Sequence, residues 1–143
     1  MSCFWDTLFR NIQHEKKSFC LVNHYSNKGY NGLVNYYQNE PSNRTELCLL
    51  LKKKNKFTRN VLCNGEEITE KQMKENFEHV KDYDISTMNN GYFCSTFDPF
   101  LFLISELYEV KIINNYMTFK VIYDNKKNSN YEIIVNNNDS HMW

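Results

Sequence analysis

The chain has 143 residues with 17 basic and 17 acidic side chains, and 41% of its residues are hydrophobic. This length and composition predict a single globular domain over residues 1–143 with a substantial hydrophobic core. The zero net charge argues against a nucleic-acid partner, because binding to phosphates requires an excess of basic side chains. No apolar run approaches the roughly 20 residues needed to cross a bilayer, so no membrane partner is expected.

The composition also suggests where the protein works. The sequence contains 21 Asn and no Ala, a bias typical of an AT-rich genome such as that of a large DNA virus or an AT-rich protist. Its five cysteines form no CxxC pair and are odd in number, which favours reduced thiols. We therefore expect an intracellular monomer, located in the host cytoplasm if the protein is viral.

The chain opens with a predicted amphipathic helix over residues 3–12, in which apolar residues recur at helical spacing. These residues are Phe4, Trp5, Leu8, Phe9 and Ile12. Further along, the short apolar run 19–22 predicts a strand, and the run 46–51 fits either a helix end or a strand. A basic stretch follows at residues 52–59, and Asn64-Gly65 predicts a turn after a second apolar patch.

Two more helices are predicted in the middle of the chain. Thr69 is a candidate N-cap for a helix that ends near Asp82. A strongly apolar helix then starts at Pro99, because proline is favoured in the first turn. Its candidate N-caps are Ser95 and Thr96.

The last third of the chain predicts strands. Residues 110–113, 118–123 and 131–135 are rich in β-branched and aromatic side chains, and the polar segment 124–130 predicts a turn. Helices first and strands last indicate an α+β fold. We expect N-terminal helices packed on a small, mainly antiparallel sheet near the C-terminus.

Two residues near opposite ends of the chain suggest thiol chemistry. Cys3 lies where the first predicted helix begins, and a helix N-terminus favours the thiolate form of a nucleophile. His141 follows a predicted strand and a polar turn, a place from which an imidazole can face that helix end. Such a histidine takes the thiol proton, the thiolate attacks a carbonyl carbon, and water releases the acyl-enzyme.

Three short segments resemble ovarian-tumour-type (OTU) cysteine proteases and occur in the same order. Segment 3–8, CFWDTL, is similar to their nucleophile segment, in which a cysteine precedes bulky apolar residues. Segment 83–112 is similar to their middle, with a Gly-aromatic step at residues 91–93 before a helix and a short strand. Segment 131–143 looks like their final strand and its histidine, which precedes a large apolar residue.

The resemblance implies a papain-like, OTU-type α+β fold and a cysteine peptidase that cleaves ubiquitin or ubiquitin-like isopeptide bonds. It makes Cys3 the nucleophile and His141 the general base. Asp139, two places before the histidine, is the candidate for orienting the imidazole. The expected partner is ubiquitin or a ubiquitin-like protein, and no metal or cofactor is expected. The alternative is a catalytically inactive OTU-like module that serves binding alone.

Other residues offer competing interpretations. The five basic side chains of segment 52–59 surround Phe57 and could contact nucleic-acid phosphates, although a solvated surface is the simpler interpretation. A zinc site is a further possibility, but its candidate ligands are not separated by the short spacings of zinc knuckles. These ligands would be Cys20, His24, Cys48 and Cys63. Cys94 precedes a helix and is a rival nucleophile, but its apolar surroundings favour a place in the core.

Overall fold

The structure is a computed structural model that describes residues 3–22, 41–127, 131–138 and 141–143, with only the backbone described over 14–22. The described chain combines α-helices with one five-stranded mixed sheet, which confirms the α+β class. The helices are α1 (Cys3–Val22), α2 (Arg44–Lys53), α3 (Glu70–Asp82), a 3-10 helix (Ile85–Asn90) and α4 (Pro99–Tyr108). The strands are β1 (Val61–Cys63), β2 (Glu66–Glu67), β3 (Lys111–Tyr116), β4 (Phe119–Asn125) and β5 (Glu132–Asn137).

Helix α1 begins at Cys3 as predicted but continues to Val22, so the strand predicted at 19–22 is wrong. A run of four apolar residues fits either a strand or a helix by its pattern alone. Extending an existing helix avoids the cost of nucleation, which favours continuation of α1. The inner face of its first three turns carries Phe4, Trp5, Leu8 and Ile12, each no more than 1% exposed.

Helices α2 and α3 are joined through one lysine. The Lys52 ammonium donates hydrogen bonds of 3.1, 2.7 and 2.7 Å to the carbonyl oxygens of Val80, Lys81 and Tyr83. These carbonyls lie at the C-terminal end of α3, where a cation stabilises the helix. At the other end, the Thr69 hydroxyl accepts the N–H of Gln72, so the predicted N-cap is confirmed.

Helix α4 lies almost entirely within the core. Its N-cap is Asp98, not Ser95 or Thr96 as predicted. The Asp98 carboxylate accepts hydrogen bonds from the N–H groups of Phe100 and Leu101. The correction has a simple cause: proline at the first helical position places the cap on the residue directly before it. The helix contacts α2, α3 and the sheet, and therefore forms the centre of the fold.

The strand order in the sheet is β2-β1-β4-β3-β5. The β3–β5 pairing is parallel and the other pairings are antiparallel. Strands β1 and β2 form a hairpin around the predicted Asn64-Gly65 turn, so the sheet is not confined to the C-terminal part as predicted. Strands of three and two residues are too short to show the alternating pattern that identifies a strand.

Strands β4 and β5 both run beyond their predicted ends. Strand β4 includes Asp124 and Asn125, which were predicted to begin a turn, and β5 includes Asn136 and Asn137. Asparagine is depleted in strands, so the sequence pattern ends the strands too early. The buried side chain of Asn125 is satisfied by a 2.8 Å hydrogen bond to a backbone carbonyl of α4. Residues 128–130 of the predicted turn lie outside the described residues.

Candidate active site

Cys3 is the first residue of α1, and its side chain is half-buried. The first N–H groups of a helix have no acceptor within the helix and carry a partial positive charge. Cys3 therefore lies at the end of α1 where an attacking anion is best accommodated. The next two side chains, Phe4 and Trp5, are 1% and 0% exposed and anchor the helix start in the core.

His141 lies in a tight reversal that follows β5. Asn136 and Trp143 exchange two backbone hydrogen bonds of 2.9 Å, and the N–H of Asn138 donates to the carbonyl of His141 at 3.0 Å. The side-chain oxygen of Asn138 accepts the N–H of His141 at 2.9 Å. Residues 136–138 thus pair with residues 141–143 as the two arms of a short hairpin, and this pairing sets the backbone position of the imidazole.

The two predicted catalytic side chains are in direct contact. The Sγ atom of Cys3 lies 2.9 Å from Nδ1 of His141. One turn along α1, the Thr7 hydroxyl donates a buried 3.2 Å hydrogen bond to the carbonyl of Met142, which joins the helix to the hairpin. The pair lies at the protein surface, so a substrate can reach it, and the contact allows proton transfer between sulfur and nitrogen.

The imidazole of His141 is oriented by an aromatic neighbour. The indole of Trp143 stacks on it with ring centroids 5.5 Å apart and ring planes 24° apart. This stacking restricts rotation of the imidazole and holds the ring beside the Cys3 sulfur. Asp139, the predicted third residue, lies outside the described residues.

A small cleft of about 50 Å³ opens beside the Cys3–His141 pair. Its lining includes segment 91–94 and residues 137–138 of the hairpin. Gly91 has φ +95° and ψ 161°, a backbone conformation that only glycine adopts readily. Phe93, next to it, has an 80% exposed side chain. The three segments that carry the OTU resemblance therefore line the same cleft.

Tyr92 connects the cleft to a buried carboxylate. Its hydroxyl donates to Oδ2 of Asp98 at 2.8 Å and lies 3.0 Å from Nε2 of His79. Burial raises the pKa of Asp98, and hydrogen bonds from Tyr92 and from backbone N–H groups oppose this rise. The network holds segment 91–94 against α4. This network was not predicted from the sequence, although an aspartate directly before Pro99 is a pattern that indicates a helix N-cap.

A larger groove of about 610 Å³ lies along α3 and the residues that follow it. His79 and Tyr83 line it together with acidic side chains, but no cysteine does. Its size therefore does not make it the candidate active site, since Cys3 and His141, the predicted nucleophile and base, line the smaller cleft.

The other described cysteines are poorer nucleophiles. Burial raises the pKa of Cys48 to about 12, and burial together with the nearby Glu66 charge raises the pKa of Cys63 to about 11. Burial, with the Asp98 charge adding to it, also raises the pKa of Cys94, which lines the cleft. Because the thiolate is the reactive form, these thiols are held in the unreactive form at neutral pH.

The basic segment 52–59 contributes to the fold itself. Lys52 binds three carbonyls at the end of α3, and the Phe57 ring packs on Phe77 with centroids 4.9 Å apart. Lys52 is therefore engaged within the fold, whereas Phe57 remains 43% exposed. The proposed zinc ligands Cys20 and His24 lie outside the described side chains, and within the described ones no three potential metal ligands come together.

Comparison of the chain with protein-family models, with curated proteins and with solved structures found no match. In the part of the chain that the structure describes, none of the helices has the length and apolar character of a membrane span. The functional interpretation therefore depends on the geometry of the cleft and on the sequence resemblance.

Proposed function

We propose that the protein is a cysteine peptidase that cleaves ubiquitin or ubiquitin-like isopeptide bonds. The observation that carries the proposal is the 2.9 Å contact between Cys3 Sγ, at the start of α1, and Nδ1 of His141. A thiol paired with an imidazole at a helix N-terminus is the arrangement that activates a cysteine nucleophile.

The geometry supports the following sequence of steps. His141 takes the proton of the Cys3 thiol at Nδ1, and the thiolate attacks the carbonyl carbon of the isopeptide bond. As the carbon–nitrogen bond breaks, the imidazolium returns the proton to the leaving lysine amine. Water, deprotonated by His141, then attacks the thioester carbon; the carbon–sulfur bond breaks, the carboxylate is released, and the imidazolium returns the proton to the Cys3 thiolate. The stacked Trp143 keeps the imidazole in position in both halves of the reaction.

The substrate class follows from the OTU resemblance, and two features of the surface support it. The cleft beside Cys3 is small, about 50 Å³, which suits a narrow extended chain terminus better than a compact small molecule. The exposed ring of Phe93 at its edge offers an apolar contact to a bound polypeptide. Exposed aromatic residues of this kind are common anchors in protein recognition.

The test is covalent labelling with ubiquitin that carries an electrophilic propargylamide at its C-terminus. The wild-type protein is expected to form an adduct at Cys3, identified by peptide mass spectrometry. Cys3→Ala should abolish labelling, and His141→Ala should reduce it strongly, because the thiol then lacks its base. Cys48→Ala is the matched control, since it removes a buried thiol far from the cleft and should label normally.

Two results would argue against the proposal. A folded wild-type protein that binds ubiquitin without labelling, and binds equally well as Cys3→Ala, would be a binding module. Labelling at another cysteine, retained in Cys3→Ala, would assign the nucleophile elsewhere.

A further inference from the structure

One arginine on α2 joins two elements that contribute to the cleft. The Nη1 atom of Arg44 lies 3.0 Å from both carboxylate oxygens of Asp6, which belongs to the first turn of α1. Its second nitrogen, Nη2, donates a hydrogen bond to the side-chain oxygen of Asn89 in the 3-10 helix. Arg44 is the first residue of α2, so one side chain from a third element bridges the other two.

Both partners of Arg44 lie close in the chain to residues that line the cleft. Asp6 comes three positions after Cys3, a spacing at which two side chains are neighbours on a helix. Asn89 comes two positions before Gly91, where the cleft wall formed by segment 91–94 begins. The bridge therefore runs between the helix that carries the thiol and the start of this wall.

The far end of segment 91–94 has a separate anchor. The Asp98 carboxylate accepts a 2.8 Å hydrogen bond from the Tyr92 hydroxyl, which holds that end against α4. The near end is attached to α2, since Arg44 binds Asn89 just before the segment begins. The segment is thus held at both ends, and the Arg44 bridge is the contact that fixes its position relative to α1.

The exposure of the ion pair argues against a role in stability alone. The side chains of Arg44 and Asp6 are 26% and 48% exposed, and ion pairs at this exposure contribute little to the free energy of unfolding, because water screens the charges. A guanidinium contributes geometry instead: it is planar and presents its N–H donors in fixed directions. It therefore suits the task of holding two acceptors at a set separation.

We infer that Arg44 is a positioning residue that sets the separation between the start of α1 and segment 91–94, and thereby the width of the cleft. The inference rests on the proposed cysteine peptidase function, in which a polypeptide terminus enters the cleft that both elements line. The Cys3–His141 contact is supported separately, by the hydrogen bond from Thr7 to the C-terminal hairpin. Loss of the bridge therefore displaces the wall and leaves the thiol in contact with the imidazole.

The experiment compares two reactions of Cys3 that differ in their need for the cleft. Labelling by ubiquitin propargylamide requires a polypeptide terminus to lie in the cleft, whereas iodoacetamide is small and needs only an accessible, ionised thiol. Both rates and the midpoint of urea unfolding are measured in the wild type, Arg44→Met, Asn89→Ala and the double variant. Lys111→Met is the matched control, because its ion pair with Glu132 is similarly exposed and neither residue lines the cleft.

Arg44→Met keeps an unbranched side chain and removes the donors. Its labelling rate should fall at least about 10-fold, because small displacements at a reaction site are costly, while its alkylation rate and unfolding midpoint stay near the wild-type values. Asn89→Ala should show the same separation of rates, and it carries the test by itself if Arg44→Met does not fold. The double variant should label no more slowly than the slower single variant, because both substitutions break one bridge. Lys111→Met should change neither rate.

Three results would overturn the inference and leave the proposed function standing. These are labelling of both single variants at the wild-type rate, a parallel loss of labelling and alkylation, and additive losses in the double variant, which would mean that Arg44 and Asn89 act independently. If the folded wild type is not labelled at Cys3, the proposed function fails, and the positioning role of Arg44 fails with it.

Discussion

At the scale of single residues, the four described cysteines differ in burial and charge, and this difference is measurable. A raised pKa keeps a thiol protonated until a higher pH is reached, so the reactive thiolate is scarce at neutral pH. Cys48 and Cys63, with pKa values raised to about 12 and about 11, should therefore resist alkylation under native conditions. Burial and the charge of Asp98 raise the pKa of Cys94 as well, so this thiol also stays protonated.

We expect iodoacetamide at neutral pH to modify Cys3 before Cys48, Cys63 and Cys94, as measured by quantitative peptide mass spectrometry. As the pH rises, Cys63 should become reactive at a lower pH than Cys48. Alkylation in concentrated urea is the control, because unfolding removes burial and should make these thiols react alike. Native modification of Cys48 as fast as Cys3 would contradict this prediction.

The residues of the site differ in how far the sequence alone could identify them. Cys3 and His141 follow from short motifs, since each is defined by its immediate neighbours along the chain. Trp143 and Asn137 are placed by the hairpin after β5, where cross-strand pairing decides which side chains meet. Asn137 was predicted to lie in a polar turn, and no local pattern marks an asparagine as a buried strand residue.

At the scale of elements, the starts of two helices were predicted from a threonine cap and a proline, whereas the Asn43 cap that begins α2 was not predicted. Thr69 and Pro99 predict the starts of α3 and α4, because an N-cap side chain or a first-turn proline affects only the backbone within one helical turn. The end of α1 and the β1–β2 hairpin were not predictable in this way. Their extents depend on tertiary packing, which overrides weak local preferences.

Segment 91–94 forms one wall of the cleft, and its course depends on Gly91. Both Gly91 and Gly65 have positive φ, +95° and +84°, and an added Cβ meets no atom within 4 Å at either position. Any effect of alanine therefore comes from backbone strain, about 1–3 kcal/mol per residue. Gly65 lies in the β1–β2 turn, away from the cleft, and is a matched control.

We expect Gly91→Ala and Gly65→Ala to lose similar amounts of stability in urea unfolding. Only Gly91→Ala should also slow the acylation of Cys3 by p-nitrophenyl acetate, because relief of the strain displaces Tyr92 and the cleft wall. Equal acylation rates in the two variants would show that segment 91–94 does not shape the reaction site.

At the scale of the whole molecule, the site joins two ends of the described chain. Cys3 and His141 are 138 positions apart, so their contact depends on the packing of α1 against the C-terminal hairpin. The Thr7–Met142 hydrogen bond is the buried polar contact between these two units, and Phe4 lines the cleft together with Met142. Alignment of the sulfur with the imidazole thus depends on an interface that also belongs to the core.

Replacing Thr7 with valine tests this dependence, because valine keeps the shape of threonine and removes the hydroxyl. The carbonyl of Met142 then stays buried without its donor, which should cost about 1–3 kcal/mol of unfolding free energy. We expect Thr7→Val also to slow the iodoacetamide alkylation of Cys3, since a looser hairpin separates the base from the thiol. Thr45→Val removes a part-buried hydroxyl that contacts Met88 and should leave the alkylation rate unchanged. If Thr7→Val loses stability but alkylates at the wild-type rate, other contacts hold the hairpin in register with α1.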